Sequence, residues 1–378
     1  MTDIQGECDP SFEPVRTAFA ANFEAGQEVG ASVAVTLDGE PVVDLWAGDA
    51  DEDGRPWERD TIVNVWSTTK TMAATCMLML ADRGDIDLDA PVATYWPEFA
   101  AAGKERVTVA HVLGHTAGLS GWDPAITPET LYDWDTTTGI LAAQAPWWEP
   151  GTASGYHAIT QGFLEGEVLR RVTGRTLGTF FREEVAGPLG ADFHIGLPES
   201  EDGRAGRVIP PGEQPGELGV DLDSIAGRSL LSCPLTGAEP NTRAWRAAEV
   251  PAAGGTGNAR SVARVHSALA NGGTVDGVTL LSPEGVERIF TEQCHDVDQV
   301  LGVKMRLGTG FGLMSDLVPL SPNARACFWG GWGGSLAVID LDARLSVAYV
   351  MNRMAGGLVG DVRGAMVVLA AFGSLAAG

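Results

Sequence analysis

Two strand pairs stand at opposite ends of this chain, and almost nothing between them reads as strand. Residues 31–48, "ASVAVTLDGEPVVDLWAG", alternate apolar side chains and break at Asp38-Gly39, a hairpin turn dipeptide. Residues 335–351, "SLAVIDLDARLSVAYVM", place two apolar runs around Leu341-Asp342-Ala343-Arg344. From about 67 to 250 the pattern changes. Helical stretches at 67–82, 106–114, 158–173 and 176–186 alternate with loops rich in Gly, Pro and Trp. Strands this far apart in sequence bury their apolar faces most economically in one shared sheet. The expected fold class is therefore α/β of the α+β kind. An antiparallel sheet is built from both chain ends and flanked by helices, with a mostly helical unit inserted. The boundaries that follow are 1–66 with 251–378 for the sheet domain and 67–250 for the helical one, with an active site at their interface.

The remaining elements fit this scheme. A first helix is expected over 11–24 with Asp9 or Ser11 near its cap, and an amphipathic helix over 260–273 ending on Gly272. Residues 198–223 read as an irregular surface excursion, and the apolar tail at 364–378 as a closing helix laid on the sheet. That tail is too short and too glycine-broken to span a bilayer.

A formal net charge of −25 repels nucleic acid and anionic lipid, so neither is an expected partner. The five cysteines are odd in number, widely spread and without a CxxC pair, which argues against a disulfide framework or a zinc knuckle. The N-terminus is acidic and lacks an apolar signal core, so a cytoplasmic location is expected.

One stretch does not fit a purely structural reading. In "VWSTTKTMAATCMLMLADRG", residues 65–84, Ser67 opens an apolar helix and would ordinarily be its N-cap. Three residues later, where a capping box wants Glu or Gln, stands Lys70. The chain has only three lysines (Lys70, Lys104 and Lys304) among 25 basic residues. Arginine stays protonated, whereas a desolvated lysine can give up its proton. Residues i and i+3 share a helix face, so the Lys70 amine can reach the Ser67 hydroxyl and activate it as a nucleophile. The helix N-terminus offers backbone N–H groups to a developing oxyanion.

Further segments follow in order: "HVLGHTAGL" (111–119), "EPGTASGYHAIT" (149–160), "TGRTLGTFFREEVAGPLGADFHIGLP" (173–198), "PAAGGTGNARSVARVHSALANGG" (251–273) and "FWGGWGGSLAVID" (328–340). With Ser67-x-x-Lys70, they make the chain resemble the serine β-lactamase and penicillin-recognising superfamily, on the class C side. The nearest resemblance is to the family VIII carboxylesterases. The resemblance implies Ser67 as nucleophile, Lys70 as its partner and Tyr156 as second general base or acid. It implies an oxyanion hole from the N–H groups of Ser67 and Trp332, and no cofactor. The superfamily's Lys-Thr-Gly triplet falls on Trp329-Gly330-Gly331, and the Asn of its Tyr-x-Asn motif on Ala158. Those losses remove the handles for a charged β-lactam or a peptide C-terminus. A short-chain, small-molecule carboxylic ester is thus the favoured substrate, with Trp329, Gly330, Gly331, His157 and Trp122 expected around it. The oligomeric state is left open.

A β-lactamase, amidase or D-amino-acid peptidase using the same residues is the alternative, with Arg325 or Arg353 as replacement cations. A non-catalytic ligand-binding relative is a third reading, weakened because a binder has no reason to keep Ser67, Lys70 and Tyr156 together. His111 and His115, four apart, could imitate a helical metal pair, but no HExxH pattern accompanies them and no metal is expected. His194 and His266 read as structural, and no G-x-S-x-G elbow supports an α/β-hydrolase. Trp122, Trp134, Trp147 and Trp148 read mainly as packing, with an aromatic pocket wall as the functional reading.

Overall fold

The two terminal hairpins meet as neighbours in one sheet. In the computed structural model, which describes residues 2–212 and 221–377, the main sheet has nine strands. These are β1 (Gln5–Cys8), β2 (Gly30–Leu37), β3 (Glu40–Gly48), β4 (Cys294–Val297), β5 (Lys304–Leu307), β6 (Gly312–Leu313), β7 (Ala326–Gly330), β8 (Leu336–Asp340) and β9 (Leu345–Met351). Their spatial order is β1-β3-β2-β9-β8-β7-β6-β5-β4. The seam between the chain ends is β2 with β9, antiparallel from Ala31 opposite Met351 to Leu37 opposite Leu345. The fold class expected from the sequence is the one observed.

Both central strands are buried on both faces because helices cover each side. We label the principal helices α1 (Glu13–Glu24), α2 (Thr69–Asp82), α3 (Val109–Leu113), α4 (Trp134–Ala143), α5 (Thr160–Thr173), α6 (Ala259–Ala270) and α7 (Val362–Ala377). Strand alternation sorts the contacts. Ser32 Oγ accepts from the Ala259 N–H of α6 at 3.2 Å, so the even positions of β2 face α6. Tyr349, paired with Val33, points the other way, where Phe19 of α1 meets it edge-on at 6.2 Å. By the same alternation Trp329 of β7 lies on the α6 side, with Ala337, Ala348 and Ala34 in its row. A smaller sheet of Val63–Asn64, Gly255–Gly257 and Phe193–Ile195 joins the chain entering α2 to the chain entering α6.

Local chemistry shifts several boundaries. The first helix is a 3-10 turn (Pro10–Phe12) followed by α1, and Asp9 accepts the Ser11 N–H at 2.8 Å as its cap. The stretch at 106–114 is helical only from Val109, because Thr108 caps it by accepting the His111 N–H at 3.1 Å. The stretch at 176–186 breaks into Leu177–Phe181 and a π turn at Arg182–Ala186. The surface excursion contains a 3-10 helix (Glu199–Arg204), and its residues 213–220 lie outside the described residues. A helix at Ile225–Ser232, capped by Ser224, was not expected. The closing helix begins at Val362, which brings Arg363 inside it.

Candidate active site

Ser67 does not cap its helix. It sits in a 3-10 turn, Trp66–Thr68, that runs straight into α2, and its side chain takes no backbone N–H of the first turn. Trp66 enters the turn in the left-handed region at φ 47°, with its N–H held by Asn64 Oδ1 at 3.1 Å. The Ser67 hydroxyl is instead 3.1 Å from Lys70 Nζ. The amine also reaches Ala158 O at 2.6 Å and Ala252 O at 3.0 Å. Three distant segments therefore converge on one nitrogen, and Lys70 as a residue is 1 % exposed. Burial pulls the Lys70 amine well below the usual ammonium range, with Glu165 acting in the opposite direction.

Tyr156 closes the other side. Its ring centroid is 4.8 Å from Lys70 Nζ. Its N–H donates to Asp298 Oδ1 at 2.9 Å, and the same oxygen receives the Val300 and Leu301 N–H groups at 2.9 Å each. The phenol faces Ser67 and Trp329, yet its oxygen is fully buried with no hydrogen bond of ordinary geometry. Burial pushes its pKa up, so it carries its proton. His115 stacks on Trp329 at 5.4 Å and meets Tyr156 edge-on at 5.2 Å. Its Nδ1 accepts the His157 N–H at 3.1 Å, and burial keeps the ring neutral.

The exit of β7 presses against the serine turn. A Cβ on Gly331 would overlap Ser335 Oγ and Val65 O, so only glycine permits this approach. Ser335 Oγ donates to Val65 O at 2.7 Å and lies 2.9 Å from Thr68 Oγ1. Trp332 packs against Trp66 with ring centroids 4.9 Å apart and planes tilted by 59°. Neither the Ser67 nor the Trp332 N–H is taken by a backbone carbonyl among the described residues. The next residues are tied down by Arg363, whose guanidinium donates to Gly333 O, to Arg353 O at 3.0 Å and to Glu28 Oε1 at 2.8 Å. Asp298, Arg363 and Glu165 were not singled out from the sequence, and His115 entered there only with His111 as a pair four residues apart. Arg363 alone left a signal there, as the one charge in the apolar run 362–377.

Several expected pocket residues lie elsewhere. His157 is fully buried behind Tyr156, and its Nε2 accepts the Leu119 N–H at 3.0 Å while Nδ1 meets Gly155 O at 2.6 Å. Burial pulls its pKa down to about 3, and both nitrogens are spent on the loop. Trp122 is core: its Nε1 donates to Thr137 O at 3.1 Å and its ring packs on Phe163. Trp134 donates to Glu167 and Trp148 to Ala153 O. Arg325 pairs with Glu287 and Asp342 at the far end of β7, and Arg353 donates to Gly26 O, so neither supplies a cation to the site. His111 Nδ1 accepts the Thr108 N–H at 3.3 Å, so it turns away from His115. His194 meets Asp192, and His266 meets Thr71 Oγ1 at 2.8 Å.

The arrangement is a serine hydroxyl, a lysine whose hold on its proton is weakened by burial and a protonated tyrosine at a helix tip, and the sequence profile of the β-lactamase family matches residues 15–371. The chain belongs to the β-lactamase family. Among solved structures, this β-lactamase-family chain is similar to a family VIII carboxylesterase, 48% identical with a TM-score of 0.92, covering 98% of this chain and 100% of that one. It is also similar to a penicillin-binding protein homologue from Caulobacter crescentus, 41% identical with a TM-score of 0.93, covering 99% and 100%. Esterase/β-lactamase LipL of Mycobacterium tuberculosis is 36% identical over 94% of this chain and 84% of its own. No described helix of this family member is long and apolar enough to cross a membrane.

Proposed function

We propose that the protein is a serine carboxylesterase that cleaves short-chain esters through an acyl-enzyme on Ser67. The observation that carries this reading is the contact set of Lys70. A neutral amine donates two N–H groups to Ala158 O and Ala252 O and turns its lone pair to the Ser67 hydroxyl at 3.1 Å. An ammonium uses the same three contacts as three donors. Proton transfer from Ser67 to Lys70 thus needs no rearrangement of the base.

In the reaction Lys70 takes the Ser67 proton as Oγ attacks the ester carbonyl. The oxyanion lies between the unengaged N–H groups of Ser67 and Trp332, each contributing about 3 kcal/mol to the transition state. The tetrahedral intermediate expels an alkoxide, which takes the proton of Tyr156. The phenolate recovers a proton from the Lys70 ammonium, so the alcohol leaves with the Tyr156 proton and the proton lost by Ser67 restores Tyr156. Water then attacks the acyl group, gives its proton to the same pair, and Ser67 departs reprotonated. The high proton affinity of the buried phenol suits it to this donor role rather than to that of first base. Trp329, packed beside the Tyr156 ring, is an uncharged surface where the family has a lysine, which favours an uncharged acyl ester. A cytoplasmic location fits the sequence.

The kinship with LipL and with the penicillin-binding homologue supports a second reading, β-lactam hydrolysis by the same residues. Trp329 in the place of the family's lysine disfavours it. The test compares p-nitrophenyl butyrate with nitrocefin and D-Ala peptides, beside Ser67→Ala. Ester turnover should lead by at least tenfold, and the variant should lose about 10⁴–10⁶ in kcat. Faster nitrocefin or peptide turnover reverses the ranking, and an active Ser67→Ala ends the acyl-enzyme reading.

A further inference from the structure

Glu165 is buried at 1 % exposure in α5, and both of its carboxylate oxygens lack any hydrogen-bond partner. The mechanism above does not use it. A buried ionised carboxylate without a donor is costly, whereas a carboxylic acid needs one acceptor. That acceptor is at hand in register. Gln161 precedes Glu165 by four residues, on the same helix face. Its Nε2 donates to Leu113 O at 3.2 Å, and its Oε1 is also buried and unpartnered. α5 packs on α2, which carries Lys70 and Cys76.

We infer that Glu165 tunes the base: it rests as a neutral acid and, on losing its proton, makes Lys70 a stronger acceptor for the proton of Ser67. The inference rests on the reading of Lys70 as base, and Glu165 is a positioning residue in the sense that it acts only through that amine. No bond but O–H changes; the carboxyl proton passes to solvent and an unsolvated negative charge remains in a low-dielectric interior, where its field reaches Lys70 undiluted. Lys70 is the one titratable group acting on Glu165, whose own pKa burial pushes up to about 8. The Cys76 thiol, which also feels Glu165, is held neutral by burial. From the other packed elements, Asp135 of α4 and Arg170 and Arg171 of α5 engage the Glu167 side. His111 of α3 is turned to Thr108, and Leu177–Phe181 brings no titratable group.

The test is the pH profile of kcat/KM for p-nitrophenyl butyrate. The wild-type protein should show a roughly tenfold rise centred near pH 8. Glu165→Gln should lose the rise and stay at the lower plateau at every pH, while Glu165→Asp should retain a rise. A Glu165→Gln profile that keeps the wild-type shape, merely scaled down, overturns the inference, because a packing role moves only the amplitude. As a second readout that does not depend on the Gln variant, carboxyl-¹³C NMR of glutamate-labelled protein should show the Glu165 titration moving to higher pH in Lys70→Met. An unchanged titration overturns the coupling. The two readings fail separately: full activity in Lys70→Met removes the base itself, whereas an inactive Lys70→Met with an unshifted Glu165 removes only the tuning.

Discussion

Lys70 and Lys104 are two of the chain's three lysines, and both are buried, at 1 % and 0 % exposure. Each amine has three acceptors. Lys104 meets Ala101 O at 2.8 Å, Ala142 O at 3.0 Å and Gln144 O. Lys70 meets two carbonyls and the Ser67 hydroxyl. On the proposed mechanism, one exchanged partner separates a structural cation from a base. Three carbonyls can only accept, so they are all satisfied only by an ammonium. Burial lowers Lys104 to about 8, which still leaves it charged at neutral pH. A hydroxyl can donate as well as accept, so the Lys70 set is complete with or without the extra proton, and burial weakens the hold on that proton. The lesson is that a polar group saturated by carbonyls builds the fold, while one with an ambivalent partner can do chemistry.

The largest expected effect breaks this pair apart. Lys70→Met should lower kcat/KM about 10²–10⁴-fold for esters, and Lys70→Arg by as much, because a guanidinium cannot accept a proton. In the wild type, activity should fall on the acid side as the amine takes a proton. The sign follows from Lys70 being lowered: the base is free above its depressed pKa and blocked below it. Lys104→Met should do the reverse. It leaves Ala142 O and Gln144 O without a donor, while Ala101 O keeps the backbone N–H of residue 104, and should cost about 3 kcal/mol of stability, read by denaturant unfolding, with kcat of the folded fraction within twofold of wild type. An inactive but fully stable Lys104→Met would erase the distinction.

The part of this contrast written in the sequence is the part set by local spacing. Ser67 and Lys70 are three apart on one helix, and the terminal hairpins declare themselves by alternation at 31–48 and 335–351. Tyr156, Trp329 and Trp332 were reached through motif resemblance, and the structure gathers them around Ser67. What stayed hidden depends on contacts between distant segments. Nothing in "YHAIT" says that His157 spends both ring nitrogens on Leu119 and Gly155, or that the Tyr156 backbone hangs on Asp298, 142 residues away. Ser67 looked like a cap because capping is the commoner use of serine; the turn before α2 has a geometry that composition does not reveal.

Arg363 extends the comparison to a cation that is wholly saturated. Its donors go to Gly333 O, Gln27 O, Arg353 O, Glu28 and Asp361, and a Cβ on Gly334 would strike it. By the logic of Lys104 it is structural, but what it holds is the loop that follows Trp332. Arg363→Lys keeps the charge and loses the fork. We expect kcat to fall about tenfold with KM little changed, since the loss is felt where the oxyanion develops. A matching rise in KM would place Arg363 in substrate binding instead.

The smallest effects sharpen the same distinction between two tryptophans. Trp122 has its indole N–H satisfied by Thr137 O, whereas the Trp329 N–H is buried without a partner beside the Tyr156 hydroxyl. Trp122→Phe should cost about 1 kcal/mol of stability for the lost hydrogen bond and leave ester kcat within twofold. Trp329→Phe removes a donor that holds no protein acceptor of good geometry, so the fold should lose less. Its effect should fall on the phenol that, on the proposed mechanism, hands a proton to the leaving alcohol. That loss should grow as the alcohol becomes more basic: slight for p-nitrophenyl esters, which leave without help, and severalfold for ethyl esters. Equal losses with both leaving groups would mean that the Trp329 ring, and not its N–H, is what the site requires.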